Sequence, residues 1–152
     1  MFKKIFFNNI DTKHIEAYGI PSGFEGYLID TISKNNSKDV IYIAKDDREA
    51  EIIKSSLLFF DSKIKILNFP AWDCLPFDRS GPRLSIQSDR LSTLSKLCEV
   101  NKGKRVIVTT VNAISQKIIP KLHIEKLYFN LKVGNSININ ELKEFLIYSG
   151  YI

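Results

Sequence analysis

The chain has 152 residues, of which 44% are hydrophobic and 26% charged. This is the composition of an ordinary soluble protein, with room for one domain, or one domain and a fragment, and for a core that needs no disulfide or metal. The formal net charge is +5, and after position 100 eight basic residues face three acidic ones, so the first hundred residues are neutral overall.

Cys74 and Cys98 form no C-x-x-C pair and stand beside no His-rich cluster, which predicts reduced thiols and no metal site. The opening Met1-Phe2-Lys3-Lys4-Ile5-Phe6-Phe7 imitates a secretion signal, but it collapses at Asn8-Asn9 without a small-residue cleavage site. No apolar run approaches the roughly 18 residues a membrane helix needs. The expected localisation is cytoplasmic.

In chain order, the first distinctive segment is Gly19-Ile20-Pro21-Ser22-Gly23-Phe24-Glu25-Gly26, just ahead of the amphipathic run Tyr27–Ile32. A glycine-rich loop opening a helix is where a nucleotide-binding fold holds phosphates, through free backbone N–H groups and the helix dipole. A working loop reads Gly-x-x-x-x-Gly-Lys-Ser/Thr. Counting from Gly19 puts Phe24, Glu25 and Gly26 at its last three positions. Phe24 adds bulk where backbone must approach phosphate, Glu25 replaces a cation by an anion, and Gly26 lacks the hydroxyl that holds magnesium. A carboxylate about 4 Å from a phosphate charge repels it by roughly 4 kcal/mol at an effective dielectric of 20. The loop reads as degenerate, with no cofactor bound.

Val40–Ala44 is a β-branched run and predicts a strand. Asp46 with Glu49 approximates a capping box for a helix over 49–59, with Ala50, Ile53, Leu57 and Leu58 at helical spacing. Ile64–Phe69 predicts the next strand. The spacing predicts a helix over 86–100 with Leu91, Leu94, Leu97 and Cys98 on one stripe. Arg105–Thr110 predicts a buried strand, and Val111–Ile119 a short helix stopped by Pro120. Strands alternating with helices give a parallel α/β sheet with helices on both faces. Past Pro120 the rhythm changes. Leu127–Val133 alternates like a half-exposed strand, Gly134-Asn135 turns the chain, and Asn138 or Asn140 caps a helix through Leu142, Phe145 and Leu146. The expected organisation is a first domain over 1–126 and the start of a small α+β module over 127–152.

Between the second strand and its helix lies Phe69-Pro70-Ala71-Trp72-Asp73-Cys74-Leu75-Pro76-Phe77-Asp78-Arg79, which holds the only tryptophan. The prolines force extended backbone and keep Trp72, Leu75 and Phe77 on a stiff segment. Trp72 is expected to be largely buried against the sheet edge or the helix beginning near Arg90. Arg79, Arg83 and Arg90 bracket the segment; they either bind phosphates or carboxylates of a partner, or clamp the loop against Asp73, Asp78 or Asp89.

Remaining candidates are weak. His14 and His123 are isolated, Asp73 and Asp78 lack a neighbouring nucleophile or metal, and Thr109-Thr110 at a strand end suits local backbone bonding better than a ligand. No catalytic residue and no metal ligand is assigned. The scattered lysines of the last third allow DNA binding, and a weak one, without the aromatic interleaving of single-strand binders.

Trp72, Asp73, Leu75, Pro76 and Asp78, followed by Arg90-Leu91-Ser92-Thr93-Leu94, resemble the amino-terminal region of the transcription-repair coupling factor family. The resemblance spans residues 15–152, and its specific part is the Trp72 segment and the Arg90 helix start. It implies a RecA-like, UvrB-like fold that has lost its Walker motif, and a second module cut short at residue 152. It further implies that the full-length protein releases stalled RNA polymerase with ATP and magnesium and recruits UvrA. This fragment would then be a non-catalytic scaffold, contacting UvrA or other domains of the same protein, with no partner-binding residue assigned. The competing readings are a small phosphate- or nucleotide-binding α/β enzyme and a nucleic-acid-binding module.

Overall fold

The computed structural model describes residues 16–35, 38–75, 78–99, 105–128, 131, 133–134 and 136–148. The expectations for Met1–Phe7, His14, Pro76, Phe77, Asn135 and the last four residues lie outside these.

The elements run α1 (Phe24–Asn35), β1 (Val40–Ala44), α2 (Asp47–Phe60), β2 (Lys65–Phe69), α3 (Leu84–Cys98), β3 (Arg105–Thr110), α4 (Val111–Ile114), α5 (Lys121–Leu127) and α6 (Ile139–Tyr148). The three strands form one parallel sheet in the order β1-β3-β2. The chain therefore passes over the width of one strand after β1 and returns to fill the centre. This is the expected α/β class, a parallel sheet with helices on both faces, consistent with a RecA-like or UvrB-like fold.

Every residue of β3 is buried, as the central strand of such a sheet requires. One sheet face carries Ala44, Val106 and Val108 against Ile29 of α1 and Ala50, Ile53 and Leu57 of α2. On the opposite face Leu67, Phe69 and Ile107 pack with Ala113 and, from α3, Leu94. The N-terminus of α2 forms as its sequence predicts. Asp46 accepts from the Glu49 backbone N–H at 2.8 Å. Glu49 does not complete a reciprocal box with Asp46; it accepts from the Lys45 backbone N–H at 2.9 Å and from the Tyr42 hydroxyl at 2.7 Å. Those bonds hold the Glu49 carboxyl below its ordinary pKa, the Lys45 bond first, while burial and then Glu49 raise the Tyr42 phenol.

Three expectations need correction. The helix beginning at Val111 ends at Ile114 rather than Ile119, and a separate helix, α5, begins directly after Pro120. Leu127 closes α5 instead of opening a strand, and no residue described between 127 and 134 is in a strand. Proline at a helix entrance has no N–H to leave unpaired, so Pro120 starts a helix as readily as it stops one. The third correction concerns α3, whose buried residues are Arg90 and Thr93, while Leu97 is exposed. The apolar stripe was misleading because polar side chains that bond inward occupy the sheet-facing positions. Thr93 donates to the Asn68 carbonyl at 2.5 Å. Asn138 caps α6, accepting from the Asn140 backbone N–H at 3.0 Å.

Arg105 opens β3 nearly buried, its Nε 3.0 Å and its Nη2 2.5 Å from Asp39 oxygens, with Nη1 donating to the Lys96 carbonyl at 2.5 Å. The guanidinium holds the Asp39 carboxyl below its ordinary pKa. A depressed folded-state pKa stabilises the fold above the unfolded carboxylate value of about 3.9, and the gain is lost as pH falls through the folded value. Asp39→Asn is expected to lower stability by on the order of 1 kcal/mol at neutral pH, since Asp39 is partly solvated. The difference from wild type should vanish in acid. Denaturant titrations at both pH values measure it, and a gap that persists in acid would contradict the assignment.

Candidate functional site

Two places in the fold collect the residues singled out by the sequence. The first is the glycine loop ahead of α1. Gly19 and Gly23 have φ of +68° and +87°, the left-handed region open to glycine. Phe24 is the first residue of α1, and its ring lies 5.1 Å from Tyr27, which in turn meets Phe60 at 5.6 Å. Gly26 is buried, and a Cβ built on it would lie 2.7 Å from the Ser56 Cβ and 2.9 Å from the Ser56 carbonyl carbon. Its glycine is therefore set by the close crossing of α1 and α2. Ser56 Oγ donates to the Gly23 carbonyl at 2.7 Å and ties the loop to that crossing.

Glu25 lines a cavity of about 340 Å³ with Ser22, Lys45, Asp46, Arg48, Glu49, Ile52 and Ile53. Lys45 and Arg48 bring two cations to it, and Glu25, Asp46 and Glu49 bring three carboxylates. Asp46 and Glu49 are occupied in capping α2 and holding the Lys45 backbone. A phosphate would meet more negative charge than positive here.

The second place is the tryptophan segment. Arg90 is only 3% exposed, and its guanidinium carbon lies 4.2 Å from the centroids of both the Phe69 and Trp72 rings. Its Nη1 donates to the Pro70 carbonyl at 2.7 Å and to the Gln116 side-chain oxygen at 3.1 Å. The same Gln116 oxygen accepts from the Trp72 backbone N–H at 3.0 Å. Burial lowers the Arg90 pKa. Asp73 takes the next turn: its carboxylate accepts from the Arg83 backbone N–H at 3.2 Å and pairs with Arg83 Nε at 2.8 Å. The first part of the segment is thus fastened to α3 at two points, by Arg90 beneath Trp72 and by Asp73 at Arg83, the residue preceding α3.

The structure brings Trp72, Asp73 and Arg90 together and leaves others of the signature apart. Trp72 lies against Arg90 as expected but is half-buried instead of largely buried, because its other side lines an open groove; Leu91 is half-buried on α3, and Leu75 is 77% exposed. Asp78 is exposed and accepts from the Arg79 backbone N–H. Pro76 lies outside the described residues. Of the two open readings for the arginines, Arg83 and Arg90 clamp the loop internally, though Arg90 does so through a carbonyl, an amide and two rings instead of an aspartate. Gln116 is the member that sequence reasoning missed, since a glutamine 44 residues beyond Trp72 carries no local signal.

Thr109 donates to the Phe69 carbonyl at 2.9 Å, and Thr110 caps α4 by accepting from the Ala113 backbone N–H. Both hydroxyls serve the backbone. Cys74 and Cys98 are free thiols. Among the described residues no group of three or more His, Cys, Asp or Glu side chains is placed to hold a metal, and no helix is long and apolar enough to cross a membrane.

The geometry defines a parallel α/β domain, consistent with a RecA-like or UvrB-like fold, in which the glycine loop and α1 are tied to α2. No family model matches the chain. Curated proteins do: it is 32% identical over 125 residues to the transcription-repair-coupling factor of Rickettsia bellii, covering 82% of this chain and 11% of that protein. The same factor of Escherichia coli is 27% identical over 124 residues, covering 82% and 10%. That of Myxococcus xanthus is 23% identical over 147 residues, covering 91% and 12%. The chain is thus a relative of the transcription-repair-coupling factors and spans about 11% of the length of these curated relatives.

Proposed function

We propose that this chain is a non-catalytic, UvrB-like scaffold and interaction domain serving transcription-coupled nucleotide excision repair. The full-length relatives would supply the ATP-driven release of stalled RNA polymerase and the recruitment of UvrA. The observation that carries the non-catalytic reading is Gly26 wedged against Ser56 with Glu25 beside it. The position that a nucleotide-binding loop gives to a magnesium-holding hydroxyl is here filled by a helix contact, and the neighbouring lysine position carries the opposite charge. Calorimetric titration with Mg-ATP is expected to give no binding tighter than millimolar, with no phosphate release. Micromolar affinity would overturn the proposal in favour of a nucleotide-binding enzyme.

A further inference from the structure

Beside Trp72 lies a groove of about 620 Å³, lined by the apolar Trp72, Leu75 and Pro82 and by the polar Ser115, Gln116 and Lys117. Gln116 sets its polarity. The side-chain oxygen accepts from the Trp72 backbone N–H at 3.0 Å and from Arg90 Nη1 at 3.1 Å. Both partners can only donate, so the oxygen must face them and the amide NH2 is turned away from the clamp. Among the described residues nothing accepts from that NH2. Lys117, next in the chain, is exposed and forms no ion pair among the described residues. The Ser115 hydroxyl donates to the Asn112 carbonyl at 2.8 Å. The groove therefore offers two unpaired nitrogen donors, one of them charged, beside an apolar wall, and no carboxylate lines it.

We propose that this groove docks a short segment of a partner protein in which a large apolar side chain stands next to an aspartate or glutamate. The apolar side chain lies on Trp72, Leu75 and Pro82, and the carboxylate accepts from the Gln116 NH2 and the Lys117 ammonium. Arg90 already fixes the Trp72 ring from behind, and Gln116 is fixed by its oxygen, so little ordering is left to oppose binding. A single-stranded nucleic acid would need several aromatic platforms and a run of cations along its backbone. The groove has one ring and one ammonium. This inference rests on the interaction role proposed above and gives it a partner chemistry. Mg-ATP titration does not touch the groove, so the non-catalytic reading and this one fail separately.

Selection of a displayed random heptapeptide library on the 152-residue chain is expected to return sequences that pair a large apolar residue with Asp or Glu. A synthetic, tryptophan-free and amidated peptide of that consensus should bind with a change in the emission of Trp72, the only tryptophan. Lys117→Glu and Gln116→Glu should each weaken it by roughly tenfold or more, while Lys117→Arg should retain it. Gln116→Glu keeps an oxygen for Trp72 and Arg90 and exchanges only the NH2, so its thermal midpoint should not fall. A consensus without an acidic residue would overturn the proposal. So would a peptide whose affinity neither substitution moves, which would place the contact elsewhere. A tighter Trp72 response to oligothymidylate than to the peptide would make the groove a nucleic-acid site. Self-association abolished by Lys117→Glu in sedimentation velocity would make a second copy the occupant, and either result would overturn the assignment.

Discussion

Arg90→Ala is expected to lower stability by about 3 kcal/mol, more than any other single truncation in the tryptophan segment. The guanidinium is buried between Phe69 and Trp72, and its loss leaves a slot between the rings. It also removes the donor to the Pro70 carbonyl and one of the two donors to Gln116. Each stacked ring contributes on the order of 1–2 kcal/mol when desolvated, and a buried acceptor stripped of its partner costs about 1–3 kcal/mol. Arg90→Lys should recover only part of this, because an ammonium cannot lie flat between two rings while donating sideways. Trp72 is the only tryptophan, so its emission reports on this site alone. A red shift with Arg90→Ala, together with a lower denaturation midpoint, is the expected pair of results. An unchanged emission maximum would mean that Trp72 does not depend on Arg90 for its place.

Trp72→Ala should cost less than the roughly 3–5 kcal/mol typical of a fully buried aromatic, because the ring is only half-buried. One of its faces lies on Arg90, and its edge looks into a shallow apolar groove of about 620 Å³ with Leu75, Pro82 and Lys117. The two truncations share one contact, so their effects should not add.

What the sequence made legible follows from where its signals are local. β1 and β3 are short β-branched runs and fall where expected because nothing nearby competes with extended backbone. Asp46 announces α2 because a capping side chain acts within three residues. Arg90 was visible as part of a signature, but its burial was not, since a charged residue on a helix usually faces water. What turns it inward is Gln116 together with the Pro70 carbonyl, and these come from distant parts of the chain. The misread face of α3 has the same origin. Thr93 outweighs the leucines because its hydroxyl reaches the Asn68 carbonyl at the sheet edge. After Pro120 the alternation of apolar residues does not decide between a strand and a helix end at Leu127, and the packing of α5 on α3, with Ile124 buried, goes with the helix there.

Gly26→Ser restores, at its place in the loop, the hydroxyl that a working phosphate site would use, and it is expected to destabilise the domain without giving it Mg-ATP affinity. Two effects oppose each other. Replacing a helical glycine ordinarily gains about 0.5–1 kcal/mol of backbone entropy. Against it stands a Cβ 2.9 Å from the Ser56 carbonyl carbon, which is backbone and cannot swing aside. Forcing added atoms into a packed joint costs typically about 1–3 kcal/mol. Moving α2 away would also break the bond from Ser56 to the Gly23 carbonyl, worth about 1 kcal/mol. The clash should prevail, for a net loss of roughly 2 kcal/mol by the same magnitudes. Gly26→Ala should behave alike, because Cβ and not the hydroxyl is the cause. Adding Ser56→Gly should recover part of the loss by clearing the side-chain contact while leaving the backbone one. Chemical denaturation of the three variants separates the two roles of this glycine. If Gly26→Ser were as stable as wild type and bound Mg-ATP, the α1/α2 crossing would have to be loose enough to admit a phosphate loop after all, and the scaffold reading would lose the contact on which it rests.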